Sequence, residues 1–227
     1  MNPQLSIIIP VVNEAGHIAV KLQALQALRN HCQVLLVDGG SEDDSAKIAK
    51  PLVDQVIHSP RGRARQMNCG AAHAQADVLL FLHADTHLPD NAVSLILQAV
   101  ADGYQWGRFD VNFDSPQPVF RLIAFMMNRR SRLTGIATGD QALFMTRQAF
   151  QAVAGFPDIA LMEDIAVSAS LKKLGRPCCL TAKIVTSARR WQQPGIFKTI
   201  LLMWWLRFRY FLGADPNDLA ARYYRKS

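Results

Sequence analysis

Four short segments carry residue types whose spacing suits chemistry. His83-Ala84-Asp85-Thr86-His87 follows an apolar run, and alternate residues of an extended segment face one way, so His83, Asp85 and His87 can in principle meet one cation. A metal there neutralises charge on a diphosphate leaving group, while the competing use of Asp85 is to cap the turn before Leu88-Pro89-Asp90. His87 itself reads as a loop residue. Glu163-Asp164 puts adjacent carboxylates at a helix start, where one can take the proton of an attacking hydroxyl or simply cap the helix. In Val37-Asp38-Gly39-Gly40-Ser41 the glycines let a ligand approach the backbone and Asp38 can accept hydrogen bonds from a base or ribose, although the same residues make an ordinary turn. Arg61-Gly62-Arg63-Ala64-Arg65 opens a helix whose free N–H groups attract anions, so phosphate contact competes with a solvated basic face.

The elements that must position these segments alternate. Leu5 to Val12 is an apolar run, followed by Ile18, Leu22, Leu25 and Leu28 at helical spacing. Val34 to Val37 is a second run, after which Ser41 and Asp44 can form a capping box for a helix to about Lys50. Val56-Ile57, a helix over Arg63 to Gln75 and a strand over Val78 to Leu82 continue the pattern. Runs apolar on both alternating positions are strands buried on both faces, so the chain is expected to be α/β, doubly wound, with a mostly parallel central sheet covered by helices on both faces. Ligands in such sheets sit outside the carboxyl ends of the strands, where Glu14, Asp38 and Asp85 lie. The second half is less regular, with strands expected around Trp106 to Val111 and Ala142 to Met145 and helices over Val119 to Asn128 and Ile165 to Leu174.

The whole chain fits one sizeable domain with a short appendage: 227 residues, 50% hydrophobic and 19% charged, which excludes a disordered chain. A net charge of +7 calls for an anionic partner, and without a long lysine-rich tail nucleic acid is not the expected one. Four cysteines without C-x-x-C spacing fit a reducing compartment, and no signal-peptide pattern opens the chain, so a cytoplasmic location is expected.

The order and spacing of the four segments resemble the family 2 glycosyltransferases with the GT-A fold. Ile9-Pro10-Val11-Val12-Asn13-Glu14 is similar to that family's opening strand and turn, Val37 to Asp43 to its nucleotide-binding turn, Arg61 to Gly70 to its helix beside the donor, Phe81-Leu82-His83-Ala84-Asp85 to its metal motif, and Glu163-Asp164 to its acceptor-side pair. Within the family the sequence is most similar to the bacterial branch described as radical-SAM/selenodomain-associated or arsenosugar-biosynthesis glycosyltransferases. The resemblance covers about the first 190 residues, giving a GT-A domain over 1–192 and an apolar, basic helical appendage over 193–227. It implies a nucleotide-diphosphate sugar donor held by Pro10, Val12, Glu14, Asp38, Gly39, Arg61, Arg65, Ala84, Asp85 and Arg190. It further implies Mg2+ or Mn2+ on Asp85, Asp164 as general base, and an acceptor met by Glu163, Asp140 and Trp191, with inversion at the anomeric carbon. Two positions depart from the pattern: His83 stands where the metal motif has its first aspartate, and Ser187 replaces the glutamine of the Gln-x-x-Arg-Trp motif ahead of Arg190-Trp191.

Ile196 to Gly213 mixes aromatics with Lys198, Arg207 and Arg209, and its longest uncharged stretch is far short of the ~20 residues that span a bilayer. It suits peripheral contact through residues 196–213 with the cytoplasmic face of an inner membrane, or a core or subunit-contact helix in an oligomer. Two other function classes stay open: a nucleotide-sugar-binding or membrane-associated protein without transfer, and a nucleotidyltransferase. The second lacks the expected glycine-rich loop, since Pro10 to Gly16 holds one glycine.

Overall fold

The computed structural model describes residues 3–192 and 195–224. The strands are β1 (Leu5–Val11), β2 (Cys32–Asp38), β3 (Gln55–His58), β4 (Val78–Phe81), β5 (Thr86–His87), β6 (Trp106–Phe113), β7 (Leu143–Thr146) and β8 (Cys178–Thr186). The helices are α1 (Ala15–Ala24), α2 (Ser45–Ala49), α3 (Arg63–His73), α4 (Ala92–Ala101), α5 (Pro118–Thr134), α6 (Arg147–Ala152), α7 (Glu163–Leu171), α8 (Arg189–Gln192), α9 (Ile196–Phe211) and α10 (Pro216–Tyr224).

Alternation in β1 and β2 decides the layering. Leu5, Ile7, Ile9 and Val11 join Val34 and Leu36 under α1, α4 and α5, through Ile18, Leu22, Ile96, Phe120 and Ile123. Ile8, Leu35 and Val37 point the other way, onto Ala64, Met67 and Ala71 of α3 and Val167 and Leu171 of α7. The sheet is therefore buried on both faces, as a helix-covered parallel sheet must be. Its strand order is β3-β2-β1-β4-β7-β6-β8-β5. The first four are mutually parallel, β6 runs parallel to β8, and β7 is antiparallel to both β4 and β6. Because Leu143 of β7 pairs with Phe81 of β4, the loop entering β7 lies at the carboxyl end of the parallel set, beside the exit of β4.

The expected capping box before α2 does not form. Ser41 Oγ instead accepts the N–H of Asn13 at 3.0 Å, and α2 starts only at Ser45, because the residues after Asp38 are spent on lacing the first two loops together. The α5 helix runs six residues past its expected end to Thr134, where Gly135, at φ 67, stops it in the left-handed conformation that glycine adopts without strain. A third, smaller cluster unites Met162 and Ile165 with Leu206 of α9 and Leu219 of α10. The C-terminal helices are thus seated on the start of α7.

Candidate active site

At the carboxyl ends of β1 and β2, two loops are laced together. Gln66 of α3 donates from one amide to the carbonyls of Val11 at 2.9 Å and Val37 at 2.8 Å, which fixes the two strand ends side by side. Gly39 lies directly under this amide, so that a Cβ there would sit 2.8 Å from the Gln66 side chain. Asp38 is buried and orients its own turn, accepting the Ser41 N–H at 3.1 Å and the Gly40 N–H at 3.3 Å, with His58 Nδ1 at 3.3 Å. The N–H of Glu14 donates to Ser45 Oγ at 2.7 Å, and the Glu14 carboxylate lies 3.9 Å from Arg189 Nη2. Val12 is half-buried.

The segment 83–87 corrects an expectation. The strand ends at Phe81, and a turn closed by the Thr86 N–H on the His83 carbonyl (3.1 Å) follows, so alternation stops before the histidine. His83, Asp85 and His87 therefore do not share a face. His83 Nδ1 lies 3.3 Å from Asp140, while His87 pairs with Val185 in β8, where burial and then Lys21 hold its imidazole below the usual histidine range. Ala84 is buried; Asp85 is half-buried, in the electrostatic field of Lys21. Among the described residues no three His, Cys, Asp or Glu side chains form a group able to hold a metal ion, so Asp38, Asp85 and Asp164 do not converge on one cation by themselves. Asp85 supplies one hard oxygen. That fits Mg2+ or Mn2+ where water and a donor's phosphates complete the shell, a common way for Mg2+ to bind.

A narrow cavity opens between the exits of β1 and β4 and the start of α7, lined among others by Pro10, Arg63, His83, Gly139, Glu163 and Asp164. Asp164 is held from two sides: its Oδ2 accepts the Gly139 N–H at 2.8 Å and its Oδ1 the Ile165 N–H at 2.7 Å. The first bond ties α7 to the turn entering β7. Met162, at φ 71, is the left-handed hinge that sets the helix start there. Glu163 is buried, 3.5 Å from Arg63 Nη1. Burial raises its carboxyl above the usual range against the attraction of Arg63. For Arg63 burial works against the charge, but the carboxylates around it, Glu163 first, push its guanidinium upward on balance. Asp140 sits on the Gly139–Gln141 turn, in the fields of Arg63, Arg130 and Arg207.

The basic segment at α3 sorts differently from the expectation. Arg61 is exposed and Arg65 pairs with Asp158 at 2.9 Å on the surface; the cavity receives Arg63 instead. Helix phase explains it, since Arg63 precedes the buried Met67 by one turn while Arg65 precedes the partly exposed Cys69. Trp191 is half-buried and packs edge-on against Phe113, ring centroids 5.8 Å apart, at the core margin. The side chain of Arg190 lies outside the described residues. Besides Arg63, the sequence reading passed over His83 as a partner of Asp140, and Arg130 and Arg207; of these only Arg63 carried a local signal.

The family model described as Glycosyl transferase family 2 matches residues 6–153. An undecaprenyl-phosphate 4-deoxy-4-formamido-L-arabinose transferase of Klebsiella pneumoniae (strain 342) is 27% identical over 151 residues, covering 60% of this chain and 46% of that protein. Its counterpart from Pseudomonas savastanoi pv. phaseolicola is 30% identical over 112 residues, covering 44% and 33%. The match thus spans less than half of these relatives. Among solved structures, mannosyltransferase PcManGT from Pyrobaculum calidifontis in complex with GDP-Man and Mn2+ superposes with a TM-score of 0.63 at 18% identity, over 88% of this chain and 65% of that one. S. aureus TarS in complex with UDP-GlcNAc gives 0.64 at 15% identity, over 81% and 58%.

Proposed function

This chain belongs to glycosyl transferase family 2 and has the GT-A fold, and from that premise we propose that it transfers a sugar from a nucleotide-diphosphate donor to an acceptor hydroxyl, inverting the anomeric carbon. The observation that carries this reading is the meeting of Pro10, His83, Gly139 and Asp164 on one cavity at the carboxyl end of the parallel strands. Ligands of open α/β sheets sit at that edge.

In this reading the nucleotide lies over the laced loops at Pro10 to Glu14 and Asp38 to Ser41. Asp85 is the residue that would hold Mg2+ or Mn2+, and the bound ion would neutralise charge on the leaving diphosphate. Asp164 takes the proton from the acceptor hydroxyl as its oxygen forms the bond to the anomeric carbon; the bond from that carbon to the diphosphate oxygen breaks, and the electron pair leaves with the nucleotide. The two backbone N–H groups on Asp164 fix its direction in advance, so no orientation is lost at the moment of transfer. Glu163 and Arg63 line the acceptor side together with Asp140.

Residues 1–192 form the catalytic unit in this proposal. The appendage 193–227 adds a face for the membrane: Phe197, Leu201, Trp204, Phe208 and Phe211, three or four residues apart along α9, are all more than half exposed. No helix among the described residues is long and apolar enough to cross a membrane, so the contact proposed for residues 196–213 is peripheral. The finer kinship with the radical-SAM/selenodomain-associated or arsenosugar branch belongs to the same proposal, and the acceptor the enzyme uses decides it against the undecaprenyl-phosphate transferases that match by sequence. Thermal-shift titration with a panel of nucleotide sugars, with and without Mg2+ and Mn2+, followed by product detection, tests the function. A metal-dependent shift with one donor and a glycosylated product is expected; binding without any product over a broad acceptor panel would leave a binding protein.

A further inference from the structure

Two arginines near Asp164 carry buried donor atoms that find no acceptor among the described residues. Arg130 lies near the end of α5 and Arg207 within α9. The α9 helix docks by Leu206 onto Met162 and Ile165, the residues that bracket Glu163-Asp164, and Arg207 follows directly in sequence. Arg130 Nε and Nη2 and Arg207 Nε are buried, and among the described residues nothing accepts a hydrogen bond from them. The acids around them are already engaged. Glu163 faces Arg63 at 3.5 Å, Asp140 faces His83 at 3.3 Å, and Asp164 accepts two backbone N–H groups. Both guanidiniums feel Asp140 and Asp164, and burial followed by the repulsion of Arg207 brings Arg130 down to about 10. Buried charged donors without an acceptor are rare unless a ligand supplies one.

We propose that Arg130 and Arg207 form a binding site for a phosphate group of the acceptor, next to Asp164, so that the acceptor is a phosphorylated molecule. The inference rests on the reading of the Asp164 cavity as the transfer site. Two guanidinium forks match a dianion with several oxygens, whereas a carboxylate, with one charge and two oxygens, would leave one fork unfilled. The same helices expose Phe125 and Met126 on α5 and Trp204 and Phe208 on α9. That feature suits an amphiphilic phosphate, and a water-soluble phosphate ester offers the same headgroup chemistry.

Calorimetric titration of the full chain with inorganic phosphate, glycerol 3-phosphate and dodecyl phosphate below its micelle concentration tests the site. Each titration is repeated with a nucleoside diphosphate filling the donor pocket. Binding of the phosphate probes to the wild type is expected to persist with the donor pocket filled. Arg130→Gln and Arg207→Gln should each weaken it by about tenfold or more, and Arg207→Lys should retain part of it. Tighter binding of dodecyl phosphate than of glycerol 3-phosphate identifies a lipid source, and equal binding a soluble ester; both support the site. Absence of phosphate binding, or Gln variants that bind as the wild type does, overturns it. Donor binding measured on the same samples separates the two failures: if it persists, the arginine site alone is wrong, and if it too is absent, the transferase reading falls.

Discussion

Replacing Gly139 with alanine perturbs the site at the turn whose N–H holds Asp164, the proposed base. Gly139 has an ordinary backbone conformation, so alanine costs nothing in φ and ψ; its Cβ, however, would stand 2.8 Å from His83 Cε1 and closer still to Nε2. Carbon atoms pack at about 3.5–4.0 Å, so either the imidazole or the turn must shift by about 1 Å. The imidazole is restrained by Asp140, at 3.3 Å from its Nδ1. A shift of the turn instead stretches the 2.8 Å bond from the Gly139 N–H to Asp164 beyond hydrogen-bond range. A hydrogen bond to a charged group contributes about 1.5–3 kcal/mol, so misdirecting Asp164 should lower kcat by about 10- to 100-fold. Overpacking should also lower stability by about 1–3 kcal/mol. Steady-state kinetics with the identified donor gives the first number and urea denaturation the second. The added change His83→Ala makes room, so the double variant should recover part of the loss in a double-mutant cycle. Wild-type kcat in Gly139→Ala, or strictly additive losses in the cycle, would refute the coupling of this turn to the base.

Other consequences follow from buried charge. Glu163 has a folded-state pKa above its ordinary 4.5, so between that value and the raised one the folded chain holds a proton that the unfolded chain has released. Stability should therefore fall as pH rises through this window, and the difference in Tm between wild type and Glu163→Gln should change there; parallel Tm curves would contradict it. Arg108 is fully buried and bonded to Asp110, which Arg132 also reaches at 2.7 Å, so Asp110→Asn should cost about 3–5 kcal/mol in denaturant titration. Asp85→Ala should abolish the metal-dependent part of donor affinity and leave any metal-independent part; unchanged metal dependence would place the ion elsewhere.

The parallel half of the sheet was legible because β1, β2 and β4 are apolar on both faces and alternate with helices, the pattern a covered parallel sheet requires. The pairing of β7 between β4 and β6 was not legible, since Leu143–Thr146 is short and its neighbours are remote in sequence. β8 is not legible because its first six residues, Cys178 to Lys183, are partly or fully exposed and form no buried apolar run. The helix-start pair Glu163-Asp164 was visible as a candidate and does line the cavity, whereas the strand-end acids Glu14, Asp38 and Asp85 are not among its lining residues. Strand alternation carried past Phe81 misplaced His83, because a turn ends the period that the argument needs. Arg63 could have been found from the phase of Ala64, Met67 and Ala71. Arg207 could not, since only the docking of Leu206 on Met162 and Ile165 brings it near Asp164.

The central claim is that Asp164 is the base of a sugar transfer. The direct measurement is product formation by Asp164→Asn under saturating donor and acceptor, beside donor affinity in the same preparation. Asparagine keeps the size and, with its single acceptor oxygen, the Gly139 N–H bond while giving up the one from Ile165, so donor affinity should stay close to that of the wild type while turnover drops by about 10²–10⁴-fold. Turnover equal to wild type would remove Asp164 from the reaction and contradict the account.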